Sequence, residues 1–299
     1  MLQLQPRKEQ TLKKQQNIFA DLHTHSTASD GLLTPAQLME SASERGLAVV
    51  GVTDHDTVAG LADARVAAER TGVRLVSGIE LSCGWKGRDT SVHVLGLYID
   101  ENAPELQQLL NEQRELRYHR ALKMVKQLAV TGLDVAELQQ RFEQSPEKVL
   151  GRPHIARYLQ ERGYVKDFQS AFERYLSRGK PGYVAKDHVL PEVGINAIHA
   201  AGGIAVVAHP GLTSDWAEVW KCISSLAWDG IETYYSEHSP GDVKRFAELA
   251  GQYNLVSTGG SDYHGEYGKH ANRLGNYGLT QELYYDLVSK CAEKGINIA

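Results

Sequence analysis

The pattern of apolar and polar positions divides the chain into three stretches. From residue 18 to about 98, short apolar runs alternate with helical periodicity. The run 18–20 reads as the end of a strand. Thr34 and Pro35 supply an N-cap and a first helical position, and the helix they open runs to about Arg45 and stops at Gly46. Residues 47–52 form a continuous apolar run, as expected of a parallel strand covered on both faces. An alanine-rich helix follows over 57–70, closed by Gly72. Strands are then predicted over 73–79 and 92–99. From 104 to about 172 the periodicity is helical throughout: 105–130 as one long helix or two broken ones, then 134–142 and 154–162. The alternation returns after about Leu190. Helices are predicted over 192–201, 215–226, 240–253 and 281–294, and strands over 203–208, 230–235 and 255–258. Trp216 and Trp220, four apart, share a helix face and read as core packing.

Strand–helix alternation on both sides of a helical insertion predicts an α/β fold with a parallel sheet or barrel. About seven strands place it near the (β/α) barrels, with an open sheet as the alternative. The expected division is a barrel over 18–100 and 185–299 and a helical insertion subdomain over 101–184, ending near the Gly/Pro-containing stretch 178–184. Residues 1–17 read as a flexible lead-in. They carry Arg7, Lys8, Lys13 and Lys14 but no apolar core, which does not describe a secretory signal.

Composition narrows the function classes. At 299 residues, 42% hydrophobic and 23% charged, the chain has ample material for a buried core and reads as an ordinary globular protein. No apolar run has the length of a membrane span. Cys83, Cys222 and Cys291 show no paired spacing, which suits a reducing cytoplasm better than a disulfide framework. A net charge of −5 argues against coating long nucleic acid, while leaving room for a local basic pocket.

The chemistry lies just after the strands. The first strand delivers Asp21, His23, His25 and Asp30. Two histidines two residues apart point to one face of an extended segment, and two imidazoles with a carboxylate suit a divalent metal of intermediate hardness. The second strand runs into Thr53-Asp54-His55-Asp56, the third ends in Glu80, and the fourth carries His93. The strand after the insertion ends in Ala208-His209-Pro210-Gly211, and the last in Gly260-Ser261-Asp262-Tyr263-His264, with the spacing of the first pair repeated. His154, in Gly151-Arg152-Pro153-His154, can join from the insertion. Singly, each has a plainer reading: a turn, a helix cap or a core histidine. Together, at the carboxyl ends of successive strands, they point to a multinuclear metal site. His119, His188, His199, His238 and His270 lie in helices or polar loops and read as solvated or locally bonded.

This set, His23-x-His25, Asp30, Thr53–Asp56, Glu80, His93, His154, His209 and Asp262-x-His264, resembles the PHP (polymerase and histidinol phosphatase) superfamily. The stretches 178–184 and 208–211 resemble its branch of RNase AM-type 5′–3′ exoribonucleases and 3′,5′-nucleotide bisphosphatases. The resemblance implies a distorted (β/α)7 barrel with three divalent ions, Mn²⁺ first and Fe²⁺ or Zn²⁺ as alternatives. Carried over by motif, His23, His25, Glu80 and Asp262 would hold one ion. Glu80, His93 and His154 would hold a second, and Asp30, His55 and His264 a third. His209 is a ligand or a phosphate contact. Where members of the branch often have an arginine after the His-Pro-Gly turn, this chain has Leu212.

The implied reaction is hydrolysis of a phosphate ester by metal-activated water, with Glu80, His209 and Asp262 as the catalytic group. Asp21, Asp54 and Asp56 either orient imidazoles or cap loops. Arg152, Arg157, Arg178, Lys180 and Lys186 border the insertion. Arg152, two residues from His154, is the foremost phosphate contact, with Arg157, Lys180 and His209 as further candidates. A roofed cleft would take a nucleotide or the end of a short single-stranded RNA, not a duplex interior. The competing readings are a histidinol-phosphate-type phosphatase and a non-catalytic metal-binding PHP module.

Overall fold

The computed structural model describes residues 17–84, 91–145, 150–185, 189–265 and 273–296. Its centre is a seven-stranded sheet in sequence order: β1 (Ala20–Thr24), β2 (Val49–Val52), β3 (Arg74–Gly84), β4 (Ser91–Leu97), β5 (Ile204–Val207), β6 (Gly230–Tyr235) and β7 (Val256–Gly260). The sheet curls until its two ends meet. Thr24 bridges Tyr263 in parallel, His25 N–H donates to the Tyr263 carbonyl at 2.9 Å, and Asp262 N–H donates to the His23 carbonyl at 2.9 Å. The expected distorted seven-stranded barrel is the fold observed.

One expectation is corrected. The sheet is not wholly parallel, because β4 runs antiparallel to both β3 and β5. β3 is also longer than its apolar run suggested and continues through Glu80 to Gly84, so β3 and β4 pair as a long hairpin. A buried apolar run such as Val92–Leu97 carries no mark of its direction, and the short link between β3 and β4 has no room for the crossover a parallel pair needs.

Around the barrel lie α1 (Pro35–Glu44), α2 (Leu61–Thr71), α7 (Pro191–Ala200), α8 (Trp216–Ile223), α9 (Pro240–Gln252) and α10 (Gln281–Glu293). Thr34 caps α1 by accepting from Gln37 N–H, while Gln37 accepts from Thr34 N–H, a reciprocal capping box. Trp216 and Trp220 stack 5.4 Å apart in the outer core, the packing role their spacing predicted. α10 closes the end of the barrel away from the histidines: Tyr284 meets Phe19 at the start of β1, and Lys294 Nζ donates to the Asn254 carbonyl just before β7.

The insertion contains α3 (Pro104–Val130), α4 (Ala136–Glu143), α5 (Arg152–Glu161) and α6 (Phe168–Ala171), which runs on into a π-helical turn over Phe172–Leu176. α3 is one unbroken helix. Its first half buries Leu106, Leu109 and Leu110 in the barrel's outer core. Its second half buries Ala121, Met124, Val125 and Leu128 in a separate core with Phe142, Ile155, Leu159 and Leu176. One helix thus contributes to two hydrophobic clusters. No helix among the described residues is long and apolar enough to cross a membrane. The predicted lead-in, except Asn17, lies outside the described residues, as do Lys186, His188 and His270.

Candidate metal centre

The strands and the loops that follow them deliver their polar residues to one spot. β1 ends in His23 and His25, both fully buried. The loop after β2 presents His55, which is locked to β3 because Asp56 N–H donates to the Glu80 carbonyl and Glu80 N–H to the Asp54 carbonyl. β3 delivers Glu80, β4 His93, the end of β5 His209, and the end of β7 Asp262 and His264.

Glu80 is the hub. Its Oε2 lies 3.4 Å from His23 Nε2, 3.2 Å from His25 Nε2 and 2.9 Å from His55 Nδ1. Its Oε1 lies 2.7 Å from His93 Nδ1 and 2.9 Å from His209 Nε2. Asp262 Oδ1 faces His23 Nε2 at 3.4 Å, His25 Nε2 at 3.1 Å and His264 Nδ1 at 3.5 Å. Asp30 Oδ1 faces His264 Nε2 at 3.2 Å. Three sets of ligand atoms lie close enough for each to surround one ion: His23, His25, Glu80 and Asp262; His55, Glu80 and His93; and His25, Asp30, His55 and His264.

The donor chemistry fits metal. His23 Nε2, both ring nitrogens of His25, His55 Nδ1 and Glu80 Oε2 are buried and have no hydrogen-bond partner, although carboxylate oxygens stand close by. Orphaned buried polar atoms cost roughly 1–3 kcal/mol each, so five of them in one cluster are a strong demand for bound partners. Imidazole and carboxylate donors together suit Mn²⁺, Fe²⁺ or Zn²⁺. Charge follows the same logic. Burial alone would raise the Glu80 pKa, yet the His55, His93 and His23 rings overcome it and hold the carboxyl well below its ordinary value. Asp262 and Asp30 behave alike: burial opposes ionisation, and His23 and His264 at Asp262, His264 and His55 at Asp30, outweigh it. Burial takes His93 the other way, down to about 4 against the pull of Glu80.

The insertion reaches over this cluster. Arg157 Nη2 on α5 donates to the Asp30 carbonyl. Arg117 on α3 donates from Nε to Asp56 Oδ2 at 2.5 Å and from Nη2 to Ser82 Oγ at 2.7 Å, gripping the segments that carry His55 and Glu80. His154 falls outside all three ligand sets. Its Nδ1 accepts from Gly151 N–H at 3.3 Å, a cap on its own helix, and burial lowers its pKa against the charge of Asp30. Arg152 packs its guanidinium 5.7 Å from the Phe172 ring centre and has no anionic partner among the described residues. Lys180 is exposed in the turn after the π-helical segment.

Asp21, Asp54 and Asp56 bond backbone, serines and Arg117 rather than imidazoles. Asp21 Oδ1 accepts from the Ser261 and His23 amides, and Asp54 accepts from Ser26 and Ser29. That is the loop-capping alternative. Among the other histidines, His199 pairs with Asp229, and His238 accepts from Gly211 N–H behind the His209 turn. Sequence reasoning missed three contributors. Glu232 accepts from His23, Tyr235 donates to Asp262 Oδ2 at 2.9 Å, and Arg117 makes the bridge above. Glu232 had a signal, as the one acidic residue in the strand Gly-Ile-Glu-Thr-Tyr-Tyr. Arg117 had none, among many charges along α3.

Comparison with known proteins gives this arrangement a family. The profile of the PHP domain matches residues 21–178, more than half of the chain. The chain belongs to the PHP family. It is 38% identical over 250 residues to a 5′-3′ exoribonuclease of Haemophilus influenzae, covering 82% of this chain and 89% of that one. It is 39% identical over 249 residues to a 3′,5′-nucleoside bisphosphate phosphatase of Chromobacterium violaceum, covering 82% and 86%. An amidohydrolase structure from Chromobacterium violaceum, with bound sulfate, superposes with a TM-score of 0.79 at 34% identity, over 91% of this chain and 96% of that one. This PHP protein is a phosphoester hydrolase with a site built for divalent metal.

Proposed function

We propose that the chain hydrolyses nucleotide and RNA phosphate esters from an end, as a 5′–3′ exoribonuclease, a 3′,5′-nucleotide bisphosphatase, or both. The observation that carries this reading is the convergence of orphaned imidazole and carboxylate atoms on Glu80, in a chain similar to proteins named for those two activities. The ligand sets would hold three ions, and manganese matches their donors. Bound divalent ions supply charge neutralisation for a phosphoryl group and a water acidic enough to serve as nucleophile near neutral pH.

The protein's own groups do the rest. Glu80 and Asp262 stay ionised and fix the spacing of the ligand sets. His209 is held to Glu80 through Nε2; burial works against its proton, and Glu80 and Asp262 restore it, raising its pKa. His209 is thereby poised to protonate a leaving oxygen. Arg152 offers a guanidinium to a second phosphate. Leu212, exposed and apolar, cannot do so from the His-Pro-Gly turn. Arg157 is engaged with the Asp30 loop and acts by holding the cleft, while Lys180 stands at the rim. α3 and α5, tied down by Arg117 and Arg157, roof the site and favour a strand end or mononucleotide over a duplex interior. We place the enzyme in the cytoplasm, acting in RNA processing or nucleotide turnover.

The test uses purified protein with Mn²⁺, a 5′-phosphorylated RNA oligomer and, separately, adenosine 3′,5′-bisphosphate. Mononucleotides released in order from the 5′ end assign the nuclease, and inorganic phosphate from the bisphosphate assigns the phosphatase. Inactivity on both substrates, or full activity in Glu80→Gln, overturns the proposal.

A further inference from the structure

Six of the seven strands bring a histidine or carboxylate to the cluster, from within the strand (Glu80, His93) or from its end or the loop that follows. β6 brings none, yet it lies between two strands that do. Its contribution is Glu232, fully buried in mid-strand. Glu232 Oε1 lies 3.0 Å from His23 Nδ1, and Oε2 accepts the His209 backbone N–H at 2.7 Å. One carboxylate therefore spends each oxygen on a different strand end, β1 through His23 and β5 through His209. It belongs to none of the three ligand sets.

Both contacts answer a specific need. His23 has two ring nitrogens, and only one can face Glu80 and Asp262; that is Nε2, buried and without a hydrogen-bond partner. Nε2 can offer a lone pair only if a proton on the ring sits at Nδ1. A carboxylate is acceptor-only, so Glu232 requires that proton at Nδ1. His209 needs a brace for another reason. Its backbone stands at φ +26° and ψ 57°, a conformation that side-chain-bearing residues rarely adopt. The charge-assisted bond from its amide to Glu232 holds the turn that aims its ring at Glu80 Oε1, 2.9 Å away. The sheet is shaped to allow this. The register of β6 against β7 slips between Glu232 and Tyr234, and the extra residue brings Tyr235 to the Asp262 carboxylate, while Tyr234 packs against the core shared with α10.

We infer that Glu232 is a positioning residue that fixes the His23 proton at Nδ1 and clamps the His209 turn, so that one side chain sets both a metal ligand and the candidate general acid. The inference rests on the metal-site reading above, but its test does not use activity. Glu232→Gln is the discriminating variant because it keeps shape and volume while replacing one acceptor oxygen with an NH₂ donor. If the amide oxygen keeps the His209 N–H, the NH₂ faces His23 Nδ1 and drives the proton to Nε2, the atom that must stay bare. The converse orientation opposes two donors at His209.

Two measurements decide it. In the wild-type protein, metal-free or zinc-loaded, ¹⁵N NMR of the His23 ring is expected to show a proton on Nδ1; a bare Nδ1 overturns the inference and does not depend on any variant folding. Binding of Mn²⁺ to metal-free protein by calorimetry is expected to weaken 10- to 100-fold at one site in Glu232→Gln, with the circular dichroism spectrum unchanged. Wild-type affinity in that variant overturns the inference. A wild-type protein that binds no Mn²⁺ or Zn²⁺ defeats the metal-site reading instead, and the His23 proton still decides the role of Glu232.

Discussion

Gly260→Ala is the most revealing single change, because Gly260 is where the barrel closes over the cluster. A Cβ at that position would lie 2.3 Å from His23 Cβ and 2.6 Å from the His23 backbone nitrogen. Non-bonded Cβ contacts do not come under about 3.0 Å, so β7 must withdraw from β1 by roughly 0.7 Å. Two bonds across the seam, from the Asp262 amide to His23 and from the His25 amide to Tyr263, weaken together. Overpacking plus those bonds costs about 2–4 kcal/mol, a fall in melting temperature of roughly 5–12 °C. The same shift separates Asp262 Oδ1 from His23 and His25, now 3.4 and 3.1 Å away, by several times the ~0.2 Å that a metal site tolerates. Metal-free thermal unfolding and Mn²⁺ calorimetry read both effects, and the affinity of the His23/His25 set is expected to fall at least ~100-fold. Gly251→Ala is the control. It lies in α9 with nothing within 4 Å of the new methyl, and is expected to stabilise by about 0.5–1 kcal/mol. A Gly260→Ala protein that melts within a degree of wild type and binds Mn²⁺ normally would refute the account of closure.

Two further outcomes follow from the buried charges. Arg117→Met keeps most of the side chain's volume but takes a cation from the buried Asp56, costing about 2–3 kcal/mol of stability; a double-mutant cycle with Asp56→Asn should give a coupling of at least ~1 kcal/mol, and independent effects would contradict the latch. Burial pushes the Asp21 carboxyl up from 3.8 to about 7, against the bonds from Ser261. Its folded pKa thus exceeds the unfolded one, so the Asp21 contribution to the stability of the metal-free protein is lost as pH rises from about 4 to 7. Asp21→Asn removes that penalty, by up to ~4 kcal/mol, and should stabilise the metal-free protein more at pH 8 than at pH 5 in thermal melts; equal effects at the two pH values would be contrary.

Much of this was readable from residue order because the relevant patterns are local. A His-x-His pair on a strand end and an Asp-x-His pair on another follow from the two-residue period. The alternation of apolar runs and helices gives seven strands and an inserted helical segment. What the sequence hides is orientation and sharing. Nothing in Val92–Leu97 says that β4 runs backwards. No spacing rule reveals that His25 and His55 each stand between two ligand sets. Asp21, Asp54 and Asp56 have the composition of imidazole partners but spend their oxygens on backbone, serines and Arg117, whereas Glu232, a lone acid in an apolar strand, takes the imidazole. Such partners are chosen by the pleat, by a register slip in β6 and by the closing of β7 on β1, all of them long-range facts.

The most direct test of the central claim is anomalous diffraction from crystals of the protein grown with Mn²⁺. Three manganese peaks are expected: one among His23, His25, Glu80 and Asp262, one among His55, Glu80 and His93, and one among His25, Asp30, His55 and His264. Manganese absent from the Glu80 hub, or ions bound elsewhere while Glu80 remains hydrogen-bonded only to protein, would contradict it.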